Sequence, residues 1–526
     1  MANIFTDVNM RKPRSNTFNL SHDVKLSGNM GELIPVLNME CVPGDVIDIS
    51  SAQMIRFAPL RSPVMHHCNV YMHYFFVPNR ILWPNWEDFI TGGEDGTATP
   101  TFPFYDRVLT DLAVGELADY LGIPVGGAAT RSLKFSALPF VAYGKIYNEY
   151  YRDQNLSPKV QDSCTDGIQT GSSHNALVTG RCAPRAWQHD YFTSCLPFTQ
   201  KGAEATIPLG TSAPLEYEVG TSTTKLTKAK DYTGSDFPVT DAIRANAPGA
   251  LGSLFSQVSA PGTGLNIDVS DNHIVDLSSA TAAGIIDLRR AFKLQEWLEK
   301  NARGGSRYTE SILSHFGVKS SDARLQRPEF LGGSTSSVKF SEVLQHSDST
   351  SENTPLATQA GHGISVGGGK RIKYFAEEHG ILMCIMSIMP KTAYFQGLHR
   401  QWVKFDKFDY YWPSFAHIGE QAVLNEEIFI TDVEADDQET FGYIPRFAEY
   451  KYMPSRVCGE MRTTLDFWHL ARKFSNAPAL NNSFVSSDPD TRIFAVEAPG
   501  TENLYCHVFH DIKASRRMPY FGNPKM

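Results

Sequence analysis

Residues 64–77 read VMHHCNVYMHYFFV, a run of β-branched and aromatic side chains closed by Pro78. This composition predicts a long strand. Just upstream, Ile47-Asp48-Ile49-Ser50 alternates apolar with polar, and the pairs Pro43-Gly44 and Ser62-Pro63 are turn signals, so that 33–77 reads as β structure. The far end of the chain has the same character. Residues 374–390, 441–452, 491–496 and 504–512 are apolar or alternating and are bounded by Gly, Pro and Asn. Strands at both ends of the chain must therefore pair across everything between them.

The middle is of another kind. Thr110 is placed to cap a helix whose Leu112, Leu117, Tyr120 and Leu121 share a stripe, with Gly122 as its stop. Residues 138–153 carry Pro139 in the first turn and Tyr143, Ile146, Tyr147 and Tyr150 at helical spacing. Residues 287–302 place Leu288, Ala291, Phe292 and Leu298 on one side, begin with an acid and run into Gly304-Gly305, which predicts a further helix. In 205–286, Ser, Thr, Gly and Ala supply close to half of the residues and acids outnumber bases, so the stretch is expected to project from the body as short strands and turns. A second piece rich in Gly, Ser and Thr, 347–370, is expected to be mobile. No internal repeat is visible.

The 526 residues carry 48 Lys+Arg against 57 Asp+Glu, a net charge of −9, which excludes a general nucleic-acid coat by charge alone. With 42% hydrophobic and 11% aromatic residues, global disorder is excluded as well. The length suits either several domains or one β-rich domain with long insertions. The longest apolar stretch, 381–389, is about half the ~20 residues a bilayer-spanning helix needs. The N-terminal residues hold no apolar core of a secretory leader, so the chain is expected to fold in a cytoplasm. Eight cysteines are scattered singly without a C-x-x-C pair, which argues for buried free thiols over a zinc ribbon or a disulfide framework.

Motifs of catalysis are missing or fail on inspection. His66, His67, Cys68 and His73 suggest a metal, but strand neighbours alternate faces, and only His66 and Cys68 can share one, with two ligands still to find. Residues 361–370, GHGISVGGGK, imitate a phosphate loop, yet Ile364 and Arg371 stand where a glycine and a hydroxyl are needed. A flexible glycine loop is the expectation there. Glu377-Glu378-His379 is the nearest acid and imidazole cluster, and adjacent strand residues cannot converge on one proton. No catalytic residue, cofactor or metal site is assigned. Basic residues gather near the ends: Arg11, Lys12 and Arg14 in an N-terminal arm, and Lys513, Arg516, Arg517 and Lys525 in a tail beside Pro519, Tyr520 and Phe521. Bases beside rings suit single-stranded nucleic acid. The blocks Trp83-Pro84-Asn85-Trp86 and Tyr410-Tyr411-Trp412-Pro413 read equally well as core anchors or as contacts between subunits.

Five long blocks resemble the major capsid proteins of the small single-stranded DNA phages, the Microviridae, and in particular the gokushoviruses. They are Pro63-Val64-Met65-His66-His67-Cys68-Asn69-Val70 with Phe76-Val77-Pro78-Asn79-Arg80; Leu138-Pro139-Phe140 through Tyr147-Asn148-Glu149 to Arg152-Asp153-Gln154-Asn155; and His189-Asp190-Tyr191-Phe192-Thr193-Ser194 with Leu196-Pro197 and Gln200-Lys201-Gly202. The other two are Ala302-Arg303-Gly304-Gly305 with Arg307-Tyr308-Thr309-Glu310, and Ser314-His315-Phe316-Gly317 with Asp322-Ala323-Arg324-Leu325-Gln326-Arg327-Pro328-Glu329. The resemblance implies a mainly β protein: a single eight-stranded antiparallel jelly roll of the viral capsid type, with long, partly helical insertions. It further implies no enzyme activity and a T=1 icosahedral shell of sixty copies around circular single-stranded DNA. Its implied partners are an internal scaffolding protein, a DNA pilot protein and a host surface receptor, without membrane insertion. Such a virion is assembled in a bacterial cytoplasm.

On that reading 1–77 is an N-terminal arm with the first strands and 78–204 a partly helical insertion. Residues 205–286 form a surface excursion that builds a threefold protrusion and touches the host, 287–370 is helix and loops, and 371–526 holds the remaining strands and a basic tail. The seven terminal bases become candidates to face DNA, and Trp83, Trp86, Tyr411 and Trp412 candidates for contact between subunits. Two other classes stay open on the residues alone. One is a jelly-roll metal or sugar enzyme, for which His66, Cys68, Glu377 and His379 must meet; the other is a carbohydrate-binding protein that displays 205–286.

Overall fold

The computed structural model describes residues 14–126, 130–203, 205, 285–305, 307–344, 358–496 and 500–521, and the backbone of short strands at 215–217, 229–230, 266–267 and 273–275. The chain divides into two compact units, Met1–Lys201 with Glu299–Met526, and Gly202–Leu298.

The first unit opens with β1 (Asn16–Asn19), β2 (His22–Gly28), β3 (Ile34–Cys41), β4 (Val46–Phe57) and β5 (Cys68–Pro78), followed by the pair β6 (Phe104–Val108) and β7 (Ser132–Ser136). The second unit contains two short antiparallel pairs, β8 (Leu215–Tyr217) with β11 (His273–Val275) and β9 (Ala229–Lys230) with β10 (Asn266–Ile267). The first unit resumes with β12 (Glu329–Ser337), β13 (Lys339–Leu344), β14 (Gln359–Gly368), β15 (Ile372–Phe375) and β16 (Gly380–Pro390). It ends with the pair β17 (Glu420–Leu424) and β18 (Thr440–Pro445) and then β19 (Leu504–Arg516).

Two sheets carry the unit. The larger runs β1-β19-β4-β14-β13, with β2 also on β19 and β15 also on β4, and the smaller runs β12-β5-β16-β3. Without the short or edge strands β1, β13 and β15, the orders become β2-β19-β4-β14 and β12-β5-β16-β3, four strands facing four, with neighbours drawn from distant parts of the chain. That is the winding of a jelly roll. The sheets hold seven and four strands, more than the eight expected. β19 sits between β2 and β4, with Leu504 opposite both Gly28 and Phe57, so the two ends of the chain do clasp one another.

Strand periodicity fills the space between the sheets. Ile47, Ile49 and Ile55 of β4, Val508 and Ile512 of β19, and Val70 and Met72 of β5 turn inward and are fully buried, about 1.5–3 kcal/mol for each such side chain. A polar chain crosses this core. The Tyr74 hydroxyl donates to Ser51 Oγ (2.5 Å) and Ser51 to His510 Nδ1 (2.6 Å), while His510 Nε2 donates to the Val36 carbonyl (2.9 Å), which ties both sheets together.

The outer face of the smaller sheet is covered as well. Phe75, Val77, Ile381, Met383 and Ile385 pack against Leu82, Trp83, Tyr105 and the helix Leu138–Ile146. β16 is therefore buried at every position, which explains why 381–389 is continuously apolar instead of alternating. The larger sheet differs. Met54 and Arg56 of β4, and Tyr505, Phe509 and Lys513 of β19, stand exposed on its outer side.

Several local expectations need correction. The glycine-rich 361–368 is no loop but part of β14, paired to β13 and β4; residues 345–357 lie outside the described residues. Its glycines serve close approach: a methyl at Gly361 would collide with the Ser62 carbonyl, and one at Gly363 would meet the Phe340 and Phe57 rings at 2.9 and 3.0 Å. Gly361→Ala is therefore expected to lower the urea midpoint of unfolding measurably, whereas a flexible loop would tolerate it without change. Among its described residues the stretch 287–370 thus contributes three strands besides its helices. Thr110 lies in a 3-10 turn, and the helix is confined to Leu117–Tyr120 before Gly122 at φ 91°. The predicted helix at 138–153 is α-helical to Ile146 and continues as a π turn, Tyr147–Tyr151. Helix Ile285–Gly304 matches the third prediction. Residues 491–496 form only a bridge at Phe494, and β1 and β2 occupy what reads as an arm.

Candidate functional site

The enzyme reading asks four residues to meet, and β5 and β16 keep them apart. Cys68 lies opposite Pro390 and Pro78 opposite Gly380, ten residues along, so the His66 end and the His379 end are roughly 30 Å apart at ~3.3 Å per residue. Three of the four have a local partner or burial of their own, and Glu377 stands exposed. His66 Nε2 donates to the Lys391 carbonyl at 2.6 Å, Cys68 is buried with its thiol pushed up to about 12 by burial, and the His379 ring packs on Trp86. Ser51 and His510 pair as a nucleophile and base would, but they are 4% and 0% exposed, sealed between the sheets. Among the described residues no group of three or more His, Cys, Asp or Glu is placed to hold a metal. Seven of the eight cysteines are buried thiols and Cys458 is exposed.

Buried histidines give the fold an acid limit. Burial lowers His66, His73 and His510 to about 4 from the ordinary 6.5. Between those values the unfolded chain binds protons that the native chain refuses, so stability is full above pH 6.5 and falls as the pH drops towards 4. Thermal melts from pH 7.5 to 4 should show that fall, with a shallower slope for His510→Gln.

The terminal bases meet different fates. Arg14 and Arg517 are exposed, and Lys513 points outward from β19. Arg516 is committed to the fold: its Nε lies 3.0 Å from Asp45 Oδ2, 18% and 2% exposed, and Nη2 donates to the Glu40 carbonyl at 2.9 Å. The described C-terminal residues are no free tail either, since the Tyr520 hydroxyl donates to the Thr17 carbonyl at 2.8 Å and its ring packs on Phe18. Arg11, Lys12 and Lys525 lie outside the described residues.

The aromatic blocks part in the same way. Trp83 is fully buried, its indole N–H donating to Asp166 at 2.7 Å, so it anchors the second core; Trp86 packs half-buried beside it. Tyr411 and Trp412 are each 49% exposed and belong to a larger surface that sequence reading missed. Trp402, Phe405, Phe408, Tyr410 and Ile418 also stand exposed there, Phe405 at 89%.

Polar ties hold this segment firmly. Arg400 pairs with the buried Glu427 at 3.2 Å, and Lys404 with the buried Glu449 at 3.1 Å, the Lys404 ammonium lying 3.7 Å over the Tyr450 ring. Burial pushes both carboxyls up. Glu427 stays raised, whereas the Gln421 amide and the Lys404 ammonium bring Glu449 below the ordinary range. Asp409 accepts from the backbone N–H of Phe405 and Asp406, and the Trp412 indole donates to the Lys407 carbonyl. Rings held outward on an ordered backbone are what a protein contact requires, because little entropy remains to be lost.

A structural role for this β sandwich agrees with its relatives. Residues 6–526 match the phage family described as Capsid protein (F protein), and the chain belongs to that family. It is 33% identical over 592 residues to "Capsid protein VP1" of Chlamydia phage 1, which spans 100% of this chain and 98% of that one. It is 36% identical over 528 residues to "Capsid protein VP1" of Bdellovibrio phage phiMH2K, covering 96% and 94% of the two chains. Against "Capsid protein VP1" of Spiroplasma virus 4 it is 32% identical over 539 residues, covering 97% and 95%. The chain thus serves as a major capsid protein of gokushovirus type, a virion component that assembles with its own copies into a shell, and not as an enzyme. No helix among the described residues is long and apolar enough to cross a membrane.

Proposed function

We propose that sixty copies of this chain close a T=1 shell around a circular single-stranded DNA genome in a bacterial cytoplasm, using the aromatic surface of 402–418 as a contact between copies. The observation that carries this reading is that surface itself. A lone protomer has no use for so many rings exposed within one stretch of chain, and a shell-forming chain has. An internal scaffolding protein and a DNA pilot protein are its companions, and a receptor on the host meets the outside. The second unit, Gly202–Leu298, has the separateness expected of a threefold protrusion, and its short paired strands suit an outward element. Electron micrographs of the chain made in bacteria, with and without the companion viral proteins, test the reading. Closed particles of uniform diameter support it; protomers that stay single beside every companion overturn it.

A further inference from the structure

We infer that the outer face of the larger sheet, which no described element covers, is the surface that holds single-stranded DNA. The inference rests on the reading that the shell encloses such a genome; of the terminal bases it keeps Lys513, and it adds cations of the sheet.

Register puts the relevant side chains together. Across β2, β19, β4 and β14, Lys25, His507, Met54 and Val366 form one outward row, and Tyr505, Arg56 and Ile364 the next. Further along, Asp48 of β4 lies between Lys513 of β19 and Lys373 of β15, with Phe375 two residues beyond Lys373. Lys25, Arg56, Lys339, Arg371, Lys373 and Lys513 supply the positive charge of this face, and Asp23, Asp48 and Asp511 the negative.

The acids are already occupied. Arg371 bridges Asp48 and Asp511, and His507 Nε2 lies 2.8 Å from Asp23. Among the described residues Lys25, Arg56, Lys373 and Lys513 have no ion-pair partner. A chain of net charge −9 therefore presents here a face with an excess of cations. Between these cations stand Tyr505, Phe509 and Phe375, 49%, 41% and 52% exposed. Free cations spaced along strands, with rings between them, match a polymer that carries one phosphate per unpaired, stackable base. The smaller sheet offers no such face, because the helical insertion covers it.

The test compares the full chain with Lys25→Gln/Arg56→Gln/Lys373→Gln/Lys513→Gln, and with a charge-matched control at exposed bases elsewhere, Arg131→Gln/Lys159→Gln/Lys300→Gln/Lys319→Gln. The probe is a labelled 30-nucleotide oligo(dT), titrated between 50 and 200 mM salt against soluble protomers. Nucleic acid per particle is measured in parallel. Loss of four phosphate contacts should weaken binding at least tenfold at low salt and flatten the slope of log affinity against log salt by about 3. The control should match the parent. Tyr505→Ser/Phe509→Ser should weaken oligo(dT) binding about tenfold without changing that slope.

Parental affinity and slope in the four-site variant would overturn the inference. So would particles that fail to form while oligo(dT) binding is unchanged, since the face would then be a contact between copies. Equal unfolding midpoints keep misfolding out of the comparison. Failure of the shell reading shows separately, as parental chains that form no particles, and the oligonucleotide titration still decides the face.

Discussion

Replacing Trp402 and Phe405 with glutamate is expected to abolish particle formation while leaving the protomer folded. Both rings are mostly exposed, 63% and 89%, so the isolated chain loses little by their removal. In a contact between copies each buried ring supplies about 2–3 kcal/mol, and a carboxylate in its place must be desolvated without a partner. Because every copy in a closed shell repeats the defect, yield should fall more than tenfold. Sedimentation velocity and micrographs read the loss, and an unchanged circular dichroism spectrum confirms the fold. Normal particles would remove 402–418 from the contact. Tyr411 and Trp412 are less clean probes, since Tyr411 packs on Phe447 and the Trp412 indole bonds within its own loop.

The second large effect lies beneath that surface. Lys404→Met should destabilise the protomer by about 3–5 kcal/mol, because Glu449, 3% exposed at its side chain, would keep its charge without its cation. Lys404→Met/Glu449→Leu should recover much of the loss, since two apolar side chains replace a buried ion pair at little cost. Urea unfolding of soluble protomers measures both. A single variant as stable as the parent would mean that the ammonium does not hold the loop. The same single variant should lose particle yield, as Lys404 also lies over the Tyr450 ring at the base of the aromatic surface.

The framework was legible wherever burial is one-sided or total. β4 and β19 alternate because one face meets the core, and β16 is uniformly apolar because both faces are covered. β1 and β2 escaped because they lie on the outer course of the sandwich with mixed, polar side chains. β14 was hidden by its glycines, which signal close backbone approach and flexibility in the same letters. The candidate surfaces were legible only in part. A tryptophan looks alike in a core and at a contact, so Trp83 and Trp412 could be told apart only by what surrounds them. A basic residue looks alike free or paired, so the sequence offers Arg516 as a DNA-facing candidate, whereas the fold pairs it with Asp45. The cations at Lys25, Arg56 and Lys373 are far apart in the chain, and only strand pairing makes them neighbours.

The place of β19 also sets a clock. Synthesis delivers residues 504–516 after both strands that flank them, yet they fill the gap between β2 and β4 and provide His510, which makes two of the three hydrogen bonds of the cross-core polar chain. A nascent chain that has not yet reached β19 therefore lacks the middle of its larger sheet, and joining strands nearly five hundred residues apart carries a loop-closure penalty before any contact repays it. Residues 504–516 must be made before a competent building block exists, so a polysome crowded with chains short of β19 cannot seed premature lattices.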